Sequence, residues 1–293
     1  MADAHVKLLD DTVNQGKKMQ TVSNVVGADT VHAEAVYLVN ESGVTLKTAD
    51  NKLRTLNQPY LYAVAEGIIP DHDPVRIFGH NLNVPVTFEA VAGISAVYPW
   101  FTAAERLHVI STDADDTGGG ADVGARTLTI VGLNDAWEPI SETITLNGLA
   151  GYVVTAAFFY RIFKAFVATA GTTGTNEGII SIKNTAEAVT HALIDVGEGH
   201  TQSAVYTVPL GKTLYLSSFT ISEASSKGSS MNLFVRPFGG AWMSLRAYNL
   251  LDSAITIPFL LPMTFGEKTD IMVQAKAIIA GADVTAELIG WIE

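Results

Sequence analysis

Apolar and polar positions alternate in short runs along most of the chain, and the clearest runs lie between Val109 and Gly148. Across Ala125–Val131, Leu128 and Ile130 alternate with Thr127 and Thr129, the period of a strand with one buried face. A turn follows at Gly132-Leu133-Asn134-Asp135, then Ile140–Leu146 alternates again and Asn147-Gly148 closes it. The pattern predicts a hairpin followed by a second turn, because Asn-Gly suits positions that need positive φ.

The same reading applied elsewhere predicts a β-rich chain. Residues 1 to about 30 are polar and carry no strand pattern before Val22, which reads as an N-terminal arm. A hairpin is expected from Val31–Val39 through Asn40-Glu41-Ser42-Gly43 into Val44–Lys47, and a short strand at Leu61–Ala65 ended by Gly67 and Pro70. Strand-like pieces follow at Val75–Phe78, Val84–Phe88 and Leu107–Ile110. Between Val153 and Val167 the apolar spacing fits either helix or strand; the turn Gly171–Asn176 favours a strand at Arg161–Ala168, with Gly178–Ile182 as its partner. The pattern lapses over Thr185–Gly199, where a join between domains is expected. Beyond it, Ala204–Val208 and Thr213–Ile221 read as a hairpin about Pro209–Lys212, with further strands at Met231–Arg236, Ile255–Phe259, Asp270–Ala275 and Val284–Trp291.

Many short strands with turns and no long amphipathic helix predict an all-β fold. The expected layout is an arm and hairpin over residues 1–68, then two β-sandwich domains over 69–190 and 191–293, the second jelly-roll-like.

Composition narrows the function. The 293 residues are 48% hydrophobic and 16% charged, which suits a folded core and argues against disorder. With 18 basic and 30 acidic residues the net charge is −12, so a phosphate backbone would repel the chain and nucleic acid is not expected as a partner. The absence of cysteine removes disulfide and thiolate chemistry. No secretory signal opens the chain, and the uncharged run Thr143–Tyr160 is broken by a turn, so a soluble protein without membrane contact is expected.

The acidic loop Asp113, Asp115, Asp116 and Asp122 has the carboxylates a hard cation prefers. A calcium loop starting at Asp113 would need a bidentate Glu where Gly124 stands, so a solvated turn is the expected reading. His72, between Asp71 and Asp73, reads as part of a surface loop bounded by Pro70 and Pro74. His191 and His200, with Glu198, do not match a common zinc spacing. Gly93-Ile94-Ser95-Ala96-Val97 lacks the second glycine of a nucleophile elbow, and Gly171-Thr172-Thr173-Gly174 lacks the Lys-Ser/Thr of a phosphate loop. Tyr98-Pro99-Trp100-Phe101 reads as core or subunit contact. No catalytic residue, cofactor or metal is therefore expected, although a pair of carboxylates brought together by the fold stays open as a glycosidase arrangement.

Several blocks resemble a family of tailed-bacteriophage virion structural proteins: Ile69-Pro70 through Phe78-Gly79-His80-Asn81, Ser111 to Gly148, Arg161–Val167 with the turn Gly171–Gly178, Val208–Thr213 and Phe265–Ile271. The chain departs from that pattern in the longer glycine run of Asp113–Asp122 and in Asp71-His72-Asp73. The resemblance implies a virion component and transfers no functional residue. The expectation drawn from it is a capsid decoration or cement protein, a homo-oligomer with a trimer favoured, partnered by the major capsid protein or other virion proteins. A tail or fibre protein that recognises a host surface is the alternative, and a carbohydrate-active virion enzyme the third reading.

Overall fold

Alternation becomes strand along much of the described chain. The computed structural model describes the backbone of residues 20–26 and 29–35, and the chain from Tyr60 to Glu293. Two compact units result, Met1–Pro59 and Tyr60–Glu293. In the first, β1 (Gln20–Val26) pairs antiparallel with β2 (Asp29–Ala35). The expected hairpin from Val31 is thus displaced, since residues 29–35 pair backwards onto residues 20–26; Asn40–Lys47 and most of the expected arm lie outside the described residues.

The second unit begins with α1 (Tyr60–Ala65), where a strand was expected. Gly67, at φ 67°, lets the amides of Gly67 and Ile68 turn back onto the carbonyls of Val64 and Ala63, the 5→2 and 6→1 bonds that close a helix. Ala63 and Val64 are buried by this turn. Strands follow as β3 (Asp73–Val84), β4 (Glu89–Ala90), β5 (His108–Ser111), β6 (Ala125–Leu133), β7 (Pro139–Thr145), β8 (Val153–Val154) and β9 (Arg161–Ala170). The chain continues through β10 (Ile180–Lys183), β11 (Thr190–Ile194), β12 (Val205–Thr207), β13 (Leu214–Glu223) and β14 (Ser229–Arg236). It ends with β15 (Met243–Leu250), β16 (Ser253–Phe265), β17 (Asp270–Ala277) and β18 (Ala282–Ile292). Among the described residues α1 is the only helix, and the fold is all-β.

Four sheets close two cores. Sheets β11-β10-β5-β8 and β7-β6-β9 enclose Leu107, Val109, Leu128, Ile130, Phe159 and Ile180 among others. Sheets β16-β13-β18-β3 and β12-β17-β14-β15 enclose Leu216, Phe219, Met231, Leu233, Val273 and Leu288 among others, with β4 added beside β17. Strand β18 shows how alternation does this: Ala282, Val284, Ala286 and Leu288 are buried while Asp283, Thr285 and Glu287 face outwards. Each such large aliphatic or aromatic side chain contributes about 1.5–3 kcal/mol on burial.

The local hairpin β6–β7 forms with Leu128 opposite Ile144. Other expected pairings are replaced by long-range ones. Strand β9 pairs with β6 and not with β10, which joins β5 and β11 in the facing sheet. Strands β12 and β13 do not pair either, because the turn Pro209–Lys212 carries the chain between sheets: β12 lies beside β17, and β13 between β16 and β18. The stretch Thr185–Gly199, expected as a join, contains β11. No strand forms at Pro85–Phe88; Pro85 ends β3 and its carbonyl accepts the amide of Ala277. Strand β3 runs along β18, and β4 along β17, so residues 73–90 hydrogen-bond with the C-terminal strands although the expected layout groups them with residues 69–190.

At the end of the β6–β9 pairing, where a bulge precedes Gly132, the two backbones approach closely. A β-carbon on Gly132 would lie 1.9 Å from the carbonyl oxygen of Arg161. Gly132→Val should therefore separate the strands there and cost about 1–3 kcal/mol by urea unfolding. Wild-type stability in that variant would contradict the close approach.

Candidate functional site

Strand β9 opens on Arg161 and β17 opens on Asp270, and the fold buries both, each 3% exposed. A buried charge needs a partner and hydrogen bonds for its remaining sites. Register supplies them: Asp270 faces Thr207 of β12 on one side and Arg236 of β14 on the other. Arg161 donates from Nε to Oδ1 at 2.9 Å and from Nη2 to Oδ2 at 3.1 Å, a bidentate pair. Thr207 Oγ1 donates to Oδ1 at 2.6 Å, and Arg236 donates from Nε and Nη2 to Oδ2 at 3.1 and 2.5 Å. The remaining Arg161 nitrogen, Nη1, donates to the Tyr160 carbonyl at 2.7 Å.

Aromatic faces surround these cations. The Arg161 guanidinium lies 4.4 Å from the ring centre of Tyr160, 5.0 Å from Trp137 and 5.1 Å from Trp100. Arg236 lies 4.8 Å from Trp242 and 5.4 Å from Trp100, and Lys268 Nζ lies 5.0 Å from Phe238 and 5.9 Å from Trp137. Each ring quadrupole attracts the cation above it, an effect worth about 0.5–2 kcal/mol according to exposure. Burial pushes the Tyr98 phenol up, Arg161 draws it down and Asp270 raises it further, so Tyr98 stays neutral beside the pair.

A cavity of about 330 Å³ opens between these parts. Its walls include Trp137 from the β6–β7 turn, Tyr160 before β9, Phe238 from the β14–β15 turn, and Arg236 and Lys268 from either side of Asp270. Trp137 and Lys268 hold φ at 65° and 59°, a region that L side chains adopt at a cost of about 1–3 kcal/mol. Asp270 is the only carboxylate of the lining, and both its oxygens are engaged. The recess therefore offers no free carboxylate base among its lining residues.

The histidines and acids singled out in the sequence lie elsewhere. Asp116 is buried and holds the loop to its own chain: Oδ1 accepts the amides of Ala125 and Glu177 at 2.8 and 2.9 Å, and Oδ2 accepts Ser111 Oγ at 2.5 Å and the Gly178 amide at 2.9 Å. The solvated-turn reading describes exposed Asp115 and not Asp116. Asp113 caps the amide of Asp115, and the Arg126 guanidinium binds the carbonyls of Gly120 and Asp122. His72 donates from Nδ1 to the Pro70 carbonyl and sets Nε2 2.6 Å from Glu293. His191 is buried, stacked 3.7 Å from Phe101, with Nδ1 donating to the Pro99 carbonyl; His200 is exposed. Among the described residues no three acids or histidines gather as metal ligands. A second cavity of about 160 Å³ is lined by His80, Ser95, Glu198 and His200, and there His80 Nε2 is tied to Asp283 at 2.7 Å. In the run Tyr98–Phe101, Tyr98 and Phe101 are core and Trp100 backs the cation cluster. The sequence did not single out Arg161, Arg236, Lys268 or Asp270 as a group; the one local sign was a charge set at the start of an apolar strand.

No protein-family model matches the chain, and no curated protein does. Among solved structures, the chain has a likeness to one described as infectious bursal disease virus Gx strain, at 8% identity and a TM-score of 0.19, covering 80% of this chain and 76% of that one. A second, described as the Gt strain of the same virus, gives 10% identity and a TM-score of 0.14, covering 80% and 87%. Likeness at that level carries no argument, and neither structure is of a tailed phage. Among the described residues no helix is long and apolar enough to cross a membrane.

Asp270→Ala should destabilise the fold by about 3–5 kcal/mol in urea titrations, since it leaves Arg161 buried without its carboxylate. The paired replacement Arg161→Met with Asp270→Leu should cost less than the single change. Burial holds the His191 imidazolium down, against the opposing pull of the Pro99 carbonyl and Glu105. The unfolded chain therefore takes this proton first, and stability present above about pH 6.5 is lost as pH falls towards the lower folded value. Melting temperatures measured from pH 8 to 5 should fall less steeply in His191→Gln than in the native protein.

Proposed function

We propose that the protein is a structural component of a phage virion, a decoration or cement protein that binds the outer capsid lattice. The observation that carries this reading is an apolar edge that is exposed among the described residues. Strands β15 and β16 are consecutive, and each forms the edge of its sheet. Along them Leu260 is 98% and Leu261 83% exposed, with Met243, Leu251 and Ile255 exposed as well. Large apolar side chains exposed to this degree along neighbouring stretches of chain point to a contact between proteins. Pro258 and Pro262 lack amide hydrogens and interrupt any ladder that β16 could extend to a neighbour, which favours a contact made by side chains.

The resemblance of the sequence blocks to tailed-phage virion proteins supports the same reading. On it, the two facing pairs of sheets are two sandwiches, the second jelly-roll-like. The protein is a trimer without catalytic function, carried in the virion, and its partners are further copies, the major capsid protein or other virion proteins. Tail or fibre attachment to a host surface is the second reading, favoured by the aromatic cavity between two turns.

Light scattering tests the edge. The native protein should exceed its 31.2 kDa chain mass at micromolar concentration, and Leu260→Lys with Leu261→Lys should reduce it to that mass without lowering the melting temperature. A native protein that stays at 31.2 kDa and does not bind purified capsids would overturn the proposal.

A further inference from the structure

The cavity beside Arg161 has more positive charge than its structural role uses. Three cations, Arg161, Arg236 and Lys268, meet one carboxylate, Asp270, in a chain whose net charge is −12. Arg161 spends its nitrogens on Asp270 and on the Tyr160 carbonyl. Arg236 uses Nε and Nη2 on Asp270, and neither its Nη1 nor Lys268 Nζ has a hydrogen-bond partner among the described residues. Two donors with surplus positive charge thus stand at a recess large enough for a sugar ring, since ligand sites begin at about 300 Å³. The remaining walls combine aromatic rings with the backbone of the turn Pro237–Gly240. Phe238 is 65% exposed at the mouth, and Trp137 lies 5.5 Å from it, edge to face.

Local backbone points the same way. Trp137 follows Asn134-Asp135-Ala136 in a tight turn, with its amide on the Asn134 carbonyl, at a left-handed position where glycine would be free of strain. Its own carbonyl accepts the Leu210 amide at 3.0 Å, which ties the backbone of this turn to the facing loop. Lys268 is held likewise, its amide on the Val208 carbonyl. The two bulky residues that occupy strained positions here are neighbours, with Lys268 Nζ 5.9 Å from the Trp137 ring centre, and such strain persists where the surrounding structure over-determines it.

We propose that this cavity binds an acidic saccharide, a pyranose whose carboxylate is received by Arg236 and Lys268 while its C–H face lies on the exposed ring of Phe238. Asp270 neutralises one of the three cations, so two positive charges are left to receive the carboxylate. The aromatic walls require a ring, so a simple anion is held weakly. The site is separate from the β15–β16 edge, and the inference stands or falls without the capsid reading.

Titration calorimetry and tryptophan fluorescence with oligogalacturonate, its methyl ester and inorganic phosphate test it on the full chain. Oligogalacturonate should bind and quench tryptophan emission, more weakly as salt rises, and the uncharged ester should bind at least tenfold less well. Phosphate should neither quench nor displace it at matched concentration. Phe238→Ala and Lys268→Gly should each weaken binding about tenfold with the melting temperature of Phe238→Ala unchanged, because that side chain is exposed, and that of Lys268→Gly unchanged or higher through relief of strain. Equal binding of acid and ester, displacement by phosphate, unaltered binding in both variants, or no binding of oligogalacturonate at all would each overturn the proposal.

Discussion

The ion pair between Arg161 and Asp270 joins two cores that are otherwise closed by separate pairs of sheets. One partner starts β9 in the first core and the other starts β17 in the second. Their burial imposes most of what surrounds them. Thr207 and Arg236 must flank Asp270 in register, Tyr160 must present its carbonyl, Gly132 must lack a side chain where β6 meets Arg161, and rings must cover the guanidinium faces. Replacing such a pair by apolar residues often costs little, whereas removing one partner is costly. The pair therefore serves register and the relative placement of the two cores more than raw stability. Phe163 of β9 stacking near Tyr206 of β12, with ring centres 4.6 Å apart, is the apolar companion of the same junction.

That arrangement also accounts for the cavity. Once Asp270 is shared by two guanidiniums, the junction is cationic, and the turns that cap it, Asn134–Trp137 and Pro237–Gly240, bring aromatic side chains to its mouth. The apolar edge at β15–β16 lies on other strands and answers to a different requirement, namely two sheets whose terminal strands have no further partner among the described residues.

Individual strands were legible in the sequence wherever one face is buried and the other wet. Leu128 and Ile130 against Thr127 and Thr129 read correctly, as did Arg161–Ala168, where the turn at Gly171 outweighed the helical spacing of the phenylalanines. Pairing was much less legible. Turns at Pro209–Lys212 and Gly171–Gly178 look like hairpin turns but pass between facing sheets, and β3 finds its partner in β18 at the far end of the chain. Short-range turn chemistry has no term for such closure. Leu61–Ala65 failed for a related reason, since a short apolar run fits strand or helix and Gly67 closed the helix. The candidate site was least legible of all: Arg161, Arg236 and Asp270 each resemble the solvent-facing charges of a strand, and only long-range register brings them together. Asp116 shows the converse, an acidic loop whose most central carboxylate is consumed by four donors of its own chain.

Hydrogen exchange in increasing denaturant tests the central role of the junction most directly. If the buried pair couples the cores, the slowest amides of β6 and of β18 share one opening free energy in the native chain. In Arg161→Met with Asp270→Leu, which removes the charges together, those amides separate into two isotherms. Two distinct isotherms in the native protein, or one shared isotherm that survives the paired replacement, would contradict the account.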